Sequence, residues 1–409
     1  MQDERKHGCP WFKGRRTFLG AALAAVAIFN APALYAQQGV TSNEIVIGAL
    51  GPLTGPFAFI GAPGRDGMAL AIDKINEAGG LNGRKLKLVF EHANTPAESV
   101  AAAKKLVEES KVFALVLASG STGAAAAADY VRAAKIPTYN IFGATPIIRT
   151  PFAKNIFHSA IPGAEASGKS MIDEVFRAVP NAKKIGVLAG TYAFPQSHLK
   201  AIREQLATRP GVEVVVEQFD AASREFTAQL LSFSRQKVEA VMVLGSFTEA
   251  GFAIKQAPEK GLPASMTWVL DASGVNDAIV AIVGGENTKH LHGYYNIPYF
   301  PTQVNDAPMA GFRKLWIAKH GNPPEGRPNL YDMVGYGATY VLGQAIKNAG
   351  PNLTWDSLIA SWEKLSEAKP SALGGFDVIY PETFSATDRQ GGRRLGSAMI
   401  VDGKWKVVR

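Results

Sequence analysis

Cysteine is almost absent: the 409 residues hold one, Cys9. It precedes an apolar run and is badly placed for lipid attachment, so the chain beyond it has no disulfide, thiol nucleophile or thiolate metal site. That suits an oxidising compartment. Long hydrophobic runs are also scarce. Outside residues 18–29 nothing approaches the roughly 20 apolar residues a membrane helix needs. No basic run occurs, which argues against nucleic acid as a partner. Catalytic signatures are missing as well. No G-x-G-x-x-G follows a strand, no glycine loop with lysine is present, and Gly120-Ser121-Thr122-Gly123 lacks the first glycine of a nucleophile elbow. His290 and His292 have metal-pair spacing, yet no further ligands cluster nearby and they read as surface residues. The expectation is a protein that is no enzyme and carries no cofactor or metal.

What is present begins with a leader. Lys13, Arg15 and Arg16 precede the apolar run Phe18 to Phe29, and small residues follow, so residues 1–36 read as an export signal cleaved after Ala36 or, alternatively, Ala33; an uncleaved membrane anchor is the rival reading, for which the run is short. Arg15-Arg16-Thr17-Phe18-Leu19 looks like a twin-arginine signature. The segment holds five Lys/Arg and two acids, so its removal takes the formal net charge down by three, from +8 to +5. A periplasmic location follows as an expectation.

Beyond Gln37 short apolar runs alternate with amphipathic helices. Ile45–Leu50, Leu86–Phe90, Val112–Leu117 and Ile136–Phe142 read as strands buried on both faces, with helices at 65–78, 97–110 and 123–134 between them. The order repeats with strands at 184–188, 212–216, 238–244 and 267–270, and helices at 165–179, 196–207, 226–236 and 248–260. Strand–helix alternation predicts right-handed crossovers and an α/β architecture of two doubly wound parallel-sheet lobes. After residue 290 the alternation weakens into helices near 308–320, 329–348 and 354–365 and a hairpin about Asp402-Gly403. These pieces complete the lobes across a hinge crossed several times. The expected division is 41–160 with 292–385 as the first lobe and 161–291 with 386–409 as the second.

Open α/β sheets bind ligands in loops at the carboxyl ends of their strands. The first such loop carries Phe57 and Phe59, which could wall an apolar pocket or be partly buried turn residues. The third, Ala118–Gly123, offers helix-start amides with Ser121 and Thr122, a seat for a carboxylate or a plain helix cap. The fourth strand ends at Gly143-Ala144-Thr145, beside it. The second lobe offers Tyr192 and Phe194, Ser246 and Phe247, and Asp271 to Gly274. Aromatic walls with a few hydroxyls suit a small amphipathic organic ligand.

Several stretches resemble the branched-chain amino-acid-binding proteins of ABC transporters, the leucine/isoleucine/valine group. The match is carried by Ile45–Gly48 through Gly51-Pro52-Leu53-Thr54-Gly55, by AIDKINEAGGLNG at 71–83, by Ile136-Pro137 through Thr145, and by Glu225-Phe226-Thr227 with Leu230. The resemblance implies a type I periplasmic binding fold that shuts on its ligand and hands it to an ABC permease in the inner membrane, acting as a monomer. It puts the carboxylate on Ser121, Ala144 and Thr145, one aromatic contact on Phe194 and another near Ser246 or Phe247. The first-lobe aromatic position falls on Ile60, leaving room for a ring. Ser273 stands where the family has the acid that holds the ligand's ammonium. Either Asp271 reaches in, or the ligand has no ammonium and is an aromatic or branched carboxylic acid rather than a hydrophobic amino acid. An exported enzyme using the same cleft and a ligand-sensing module are the competing expectations.

Overall fold

In the computed structural model the described residues are 8, 37–323 and 327–408; the expected export signal and its cleavage point lie outside them. Two sheets organise the chain. The first has five parallel strands in the order β2-β1-β3-β4-β5, with β1 Glu44–Gly51, β2 Lys85–His92, β3 Ala114–Leu117, β4 Thr138–Asn140 and β5 Ile156–His158. The second has seven, in the order β12-β11-β10-β9-β8-β6-β7: β6 Lys184–Gly190, β7 Glu213–Phe219, β8 Ala240–Leu244, β9 Thr267–Leu270, β10 Leu291–Tyr295, β11 Gly396–Val401 and β12 Lys404–Val408. Among the described strands, antiparallel pairing is confined to β10 with β11 and β11 with β12. Residues of β3 and β8 are buried throughout, which is why these strands are apolar without alternation.

Eleven α-helices connect and flank the described strands. They are α1 Ala58–Glu77, α2 Pro96–Lys104, α3 Gly120–Ala134, α4 Ala164–Ala178, α5 Ala193–Leu206, α6 Thr227–Gln236, α7 Phe247–Gln256, α8 Asp277–Val283, α9 Ala307–His320, α10 Leu330–Ala349 and α11 Trp355–Trp362. Local chemistry fixes many of their ends. Thr95 with Glu98 and Ser246 with Glu249 form reciprocal capping boxes at α2 and α7. Asn329 with Asp332 does the same at α10. Helix α1 starts well before the expected residue 65, because Gly61 and Gly64 are packing residues. A Cβ at Gly61 would lie 2.3 Å from the Pro52 carbonyl oxygen, and one at Gly64 would lie 2.6 Å from the Phe142 ring.

The chain passes between the sheets three times: after β5, after β10 and before β11. These segments are bonded to one another. The Gln390 amide donates to the carbonyls of Ser159 (2.7 Å) and Gly392 (2.8 Å), and the Asn296 amide donates to Ala160 at 3.3 Å. Strand β10 pairs with β9 and β11, so the second sheet holds residues to Tyr295 and the expected 291/292 boundary falls inside a strand. Between crossings, α10 packs Gly335 against Gly64 of α1 and returns the chain to the first lobe.

Candidate functional site

The loops that leave β1, β3, β4, β6, β8 and β9 arrive at one cavity. Phe57, Phe59 and Ile60 follow β1, Gly120 and Ser121 follow β3, and Phe142 follows β4. From the second sheet come Tyr192 and Phe194 after β6, Ser246 after β8, and Ala272 and Ser273 after β9. Strand β10 adds Tyr294, the crossing segments add Ile161, Pro162 and Asn296, and the start of α10 adds Leu330 and Tyr331. The cavity holds about 570 Å3 of atom-free space, part of it open to solvent.

Its walls are aromatic and meet across the cleft. Phe57 and Tyr192 touch edge to face with centroids 5.3 Å apart. Phe59 meets Phe247 at 6.0 Å and Tyr331 at 5.7 Å, and Tyr331 meets Phe142 at 5.0 Å. Contacts between the two lobes define this as a closed arrangement. Polar groups are sparse and neutral. Among the described residues that line the cavity none is Asp, Glu, Lys, Arg or His. Burial, with nearby carboxylates, raises the tyrosines Tyr192, Tyr294 and Tyr331, so their hydroxyls stay protonated. The Oδ1 of Asn296, a residue 1% exposed, has no hydrogen-bond partner among the described residues.

At the floor, α3 begins without a side-chain cap: Ser119 occupies the cap position but makes no capping bond. The first amides of this 15-residue helix thus lack the usual hydroxyl acceptor. Beside them the Ser121 hydroxyl accepts the Ala144 N–H at 3.0 Å. This end of the cavity suits an anionic oxygen pair, with dipoles and hydroxyls in place of a cation.

The two acids nearest the cavity are occupied by the protein itself. Asp271 is fully buried and accepts backbone N–H groups from Gly245 (2.7 Å), Ser273 (2.6 Å) and Gly274 (3.3 Å). Burial pushes its carboxyl up to about 7 despite those bonds. The Ser273 side chain lies beside both the Asp271 carboxyl and the Tyr331 hydroxyl and offsets part of the rise that burial imposes on each. Glu249 accepts the Tyr192 hydroxyl at 2.9 Å and the N–H groups of Ala222 (2.7 Å) and Ser246 (2.9 Å). It holds two loops of the second lobe together.

Of the residues expected from sequence, Phe57, Phe59, Ile60, Ser121, Tyr192, Phe194, Ser246 and Ser273 come together around the cavity. Five do not line it. Ala144 turns its N–H to Ser121, and Thr122 opens onto an adjoining recess. Thr145 is carried past the cavity because the Asn140 side chain bonds both the N–H and the carbonyl of Gly143 and curls the loop. Its hydroxyl lies 3.5 Å from Ser197 Oγ beside a separate surface recess. Phe247 backs Phe59 from behind, and Asp271 is spent on its own turn. Sequence reasoning missed Phe142, Tyr294, Asn296 and Tyr331; Phe142 was legible as the end of an apolar strand, whereas the others stand on segments whose placement depends on the crossings.

Two α/β lobes, joined by three crossings and closed over a buried cavity fed by strand-end loops, define a ligand-capturing protein of the two-lobed type. Residues 44–404 match the family model described as periplasmic binding protein, and the chain belongs to that family. Its fold is that of the type I members. A Pseudomonas aeruginosa leucine-, isoleucine-, valine-, threonine- and alanine-binding protein is 25% identical over 353 residues, covering 86% of this chain and 87% of its own. The branched-chain amino acid transporter substrate-binding protein of Streptococcus pneumoniae, solved with isoleucine, superposes with a TM-score of 0.73 at 21% identity, covering 90% and 99% of the two chains. A fatty acid ABC transporter substrate-binding protein from Thermomonospora curvata gives 0.76 at 17% identity, covering 91% and 93%.

Proposed function

We propose that this chain is the periplasmic, monomeric receptor of an ABC uptake system, delivering to an inner-membrane permease a small carboxylic acid with an aromatic or branched apolar body and no α-ammonium. The observation that carries the reading is the lining: seven aromatic side chains, hydroxyls and helix-start amides, with no acid among them. A carboxylate finds the amides of α3 and Ser121 there. An ammonium would lose its hydration without a charged partner, at a cost of several kcal/mol. Asp271 offers no remedy, since turning it inward would strand three backbone N–H groups. Closure of the lobes sequesters the ligand and creates the surface a permease reads.

Calorimetry with 4-methylpentanoate, leucine, benzoate and phenylalanine tests this directly, because the first pair shares one apolar body and differs at the ammonium. Binding of 4-methylpentanoate or benzoate at least about tenfold tighter than the matching amino acid, about 1.4 kcal/mol, is expected. Leucine bound as tightly as 4-methylpentanoate would overturn the reading. One observation favours a second reading, a hydrophobic amino acid like those named for the Pseudomonas relative: the free Asn296 Oδ1 is a neutral acceptor facing the cavity. The same titrations separate the two.

A further inference from the structure

The α3 start borders two spaces. On one side is the aromatic cavity. On the other is a chamber with about 390 Å3 of atom-free space, which Pro52, Ala93, Asn94, Ser99, Ser119 and Thr122 line on its far side. The two share Phe57, Ile60, Gly120, Ser121, Tyr192 and Phe194 as common wall. Gly120 stands in this wall: its φ is +67°, and a Cβ there would meet Ile60 Cδ1 at 3.4 Å.

The chambers differ in chemistry. The far one holds polar groups that the fold leaves unused. Ser119 is 8% exposed, and its hydroxyl neither caps α3 nor bonds any other described residue. Asn94 Oδ1 is buried without a partner as well, its amide seated against Gly55, where a Cβ would come within 2.8 Å of Nδ2. Gly123 makes room for the hydroxyls; a Cβ there would lie 2.6 Å from Ser119 Oγ and 2.7 Å from Ser99 Oγ. Buried polar groups without partners are costly, and their retention beside a ligand cavity marks them as groups a ligand satisfies.

We infer that the chamber is a specificity subsite, in which Ser119 and Asn94 read a hydroxyl on the far end of the ligand. An alcohol or phenol supplies what both lack: a proton for Asn94 Oδ1 and an oxygen that accepts from Ser119. A second carboxylate fits less well, because none of the described residues lining the chamber is Lys, Arg or His. The preferred ligands are thus hydroxylated acids, and the inference rests on the carboxylic-acid reading above.

Calorimetry on the full protein compares benzoate with its three monohydroxy isomers, and phenylalanine with tyrosine. At least one hydroxylated partner binds about tenfold or more tightly than its parent, since a site built for a hydroxyl penalises the analogue lacking it. In Ser119→Ala and Asn94→Leu that gain falls below about twofold while parent affinity is retained. Equal affinities within both pairs, as when an ordered water satisfies the two side chains, would overturn the subsite. So would a gain that survives both substitutions. A hydroxyl gain in the tyrosine pair with no binding of benzoates would sink the acid reading and leave the subsite standing.

Discussion

Phe57 and Tyr192 come from opposite lobes and meet edge to face, centroids 5.3 Å apart, with the Tyr192 hydroxyl anchored on Glu249 at 2.9 Å. The pair is a latch: it exists only when the cleft is shut, and its second member is braced by a buried carboxylate. An aromatic pair contributes about 0.5–1.5 kcal/mol beyond its buried area. Phe57→Ala is expected to speed ligand dissociation about tenfold with little change in association rate. Tyr192→Phe keeps the ring contact and loses only the brace, so a smaller acceleration, about twofold to fivefold, is expected. Stopped-flow fluorescence measures both, and an unchanged dissociation rate in Phe57→Ala would remove the latch.

Ser121 and Thr145 provide a contrast. Ser121 lines the cavity and is 3% exposed, whereas Thr145 faces Ser197 at a separate recess. Ser121→Ala removes a hydroxyl from the cavity wall and strands the Ala144 N–H, and a loss of affinity of about tenfold or more is expected. Thr145→Val should leave affinity within about twofold. Calorimetry decides it, and the reverse pattern would move the carboxylate seat to the loop after β4.

The sequence displayed those parts whose chemistry is local. Buried parallel strands such as Ala240–Leu244 are continuous apolar runs, and several of the loops following them line the cavity. Strand β10, LHGYY, carries a histidine and a glycine and no alternation, so it hid in a tyrosine-rich stretch. The first turns of α1 read as loop because Gly61, Pro63 and Gly64 look like breakers, although both glycines serve close contacts. Asn296 and Tyr331 reach the cavity only through the crossings, a long-range arrangement to which no local pattern points. Asp271 was legible as an acid in the right loop; its three backbone partners were not.

Gly335 and Gly67 let α10 and α1 pack at backbone distance. A Cβ at Gly335 would lie 2.4 Å from the Gly64 carbonyl oxygen, and one at Gly67 would lie 2.0 Å from that of Asp332. Neither obstacle is a movable side chain. Alanine at either position must push the helices apart, and a loss of stability of about 2–4 kcal/mol is expected, well above any gain in helix propensity. Urea unfolding measures it; a variant as stable as the parent would show that the helices do not approach so closely.

Glu382 carries the clearest expectation for pH. Its side chain is wholly buried between the Tyr139 hydroxyl and the Ser159 hydroxyl, the latter at 2.6 Å. Burial raises its carboxyl to about 7, and the two hydroxyl bonds offset only part of that. An acid raised in the folded state keeps a proton that the unfolded chain releases. Its stabilising effect is therefore complete below the usual carboxylate range, near 4.5, and is lost as pH rises to about 7. Asp271, raised from 3.8 to about 7, acts in the same direction. Glu382→Gln stays neutral throughout, so its stability should fall less between pH 4.5 and 8 than that of the parent, by about 1–3 kcal/mol. Denaturant midpoints across that range give the comparison. Parallel profiles for the two proteins would mean that Glu382 titrates as an ordinary carboxylate, while a shallower slope in Glu382→Gln alone would assign the proton to the pocket formed by Tyr139 and Ser159.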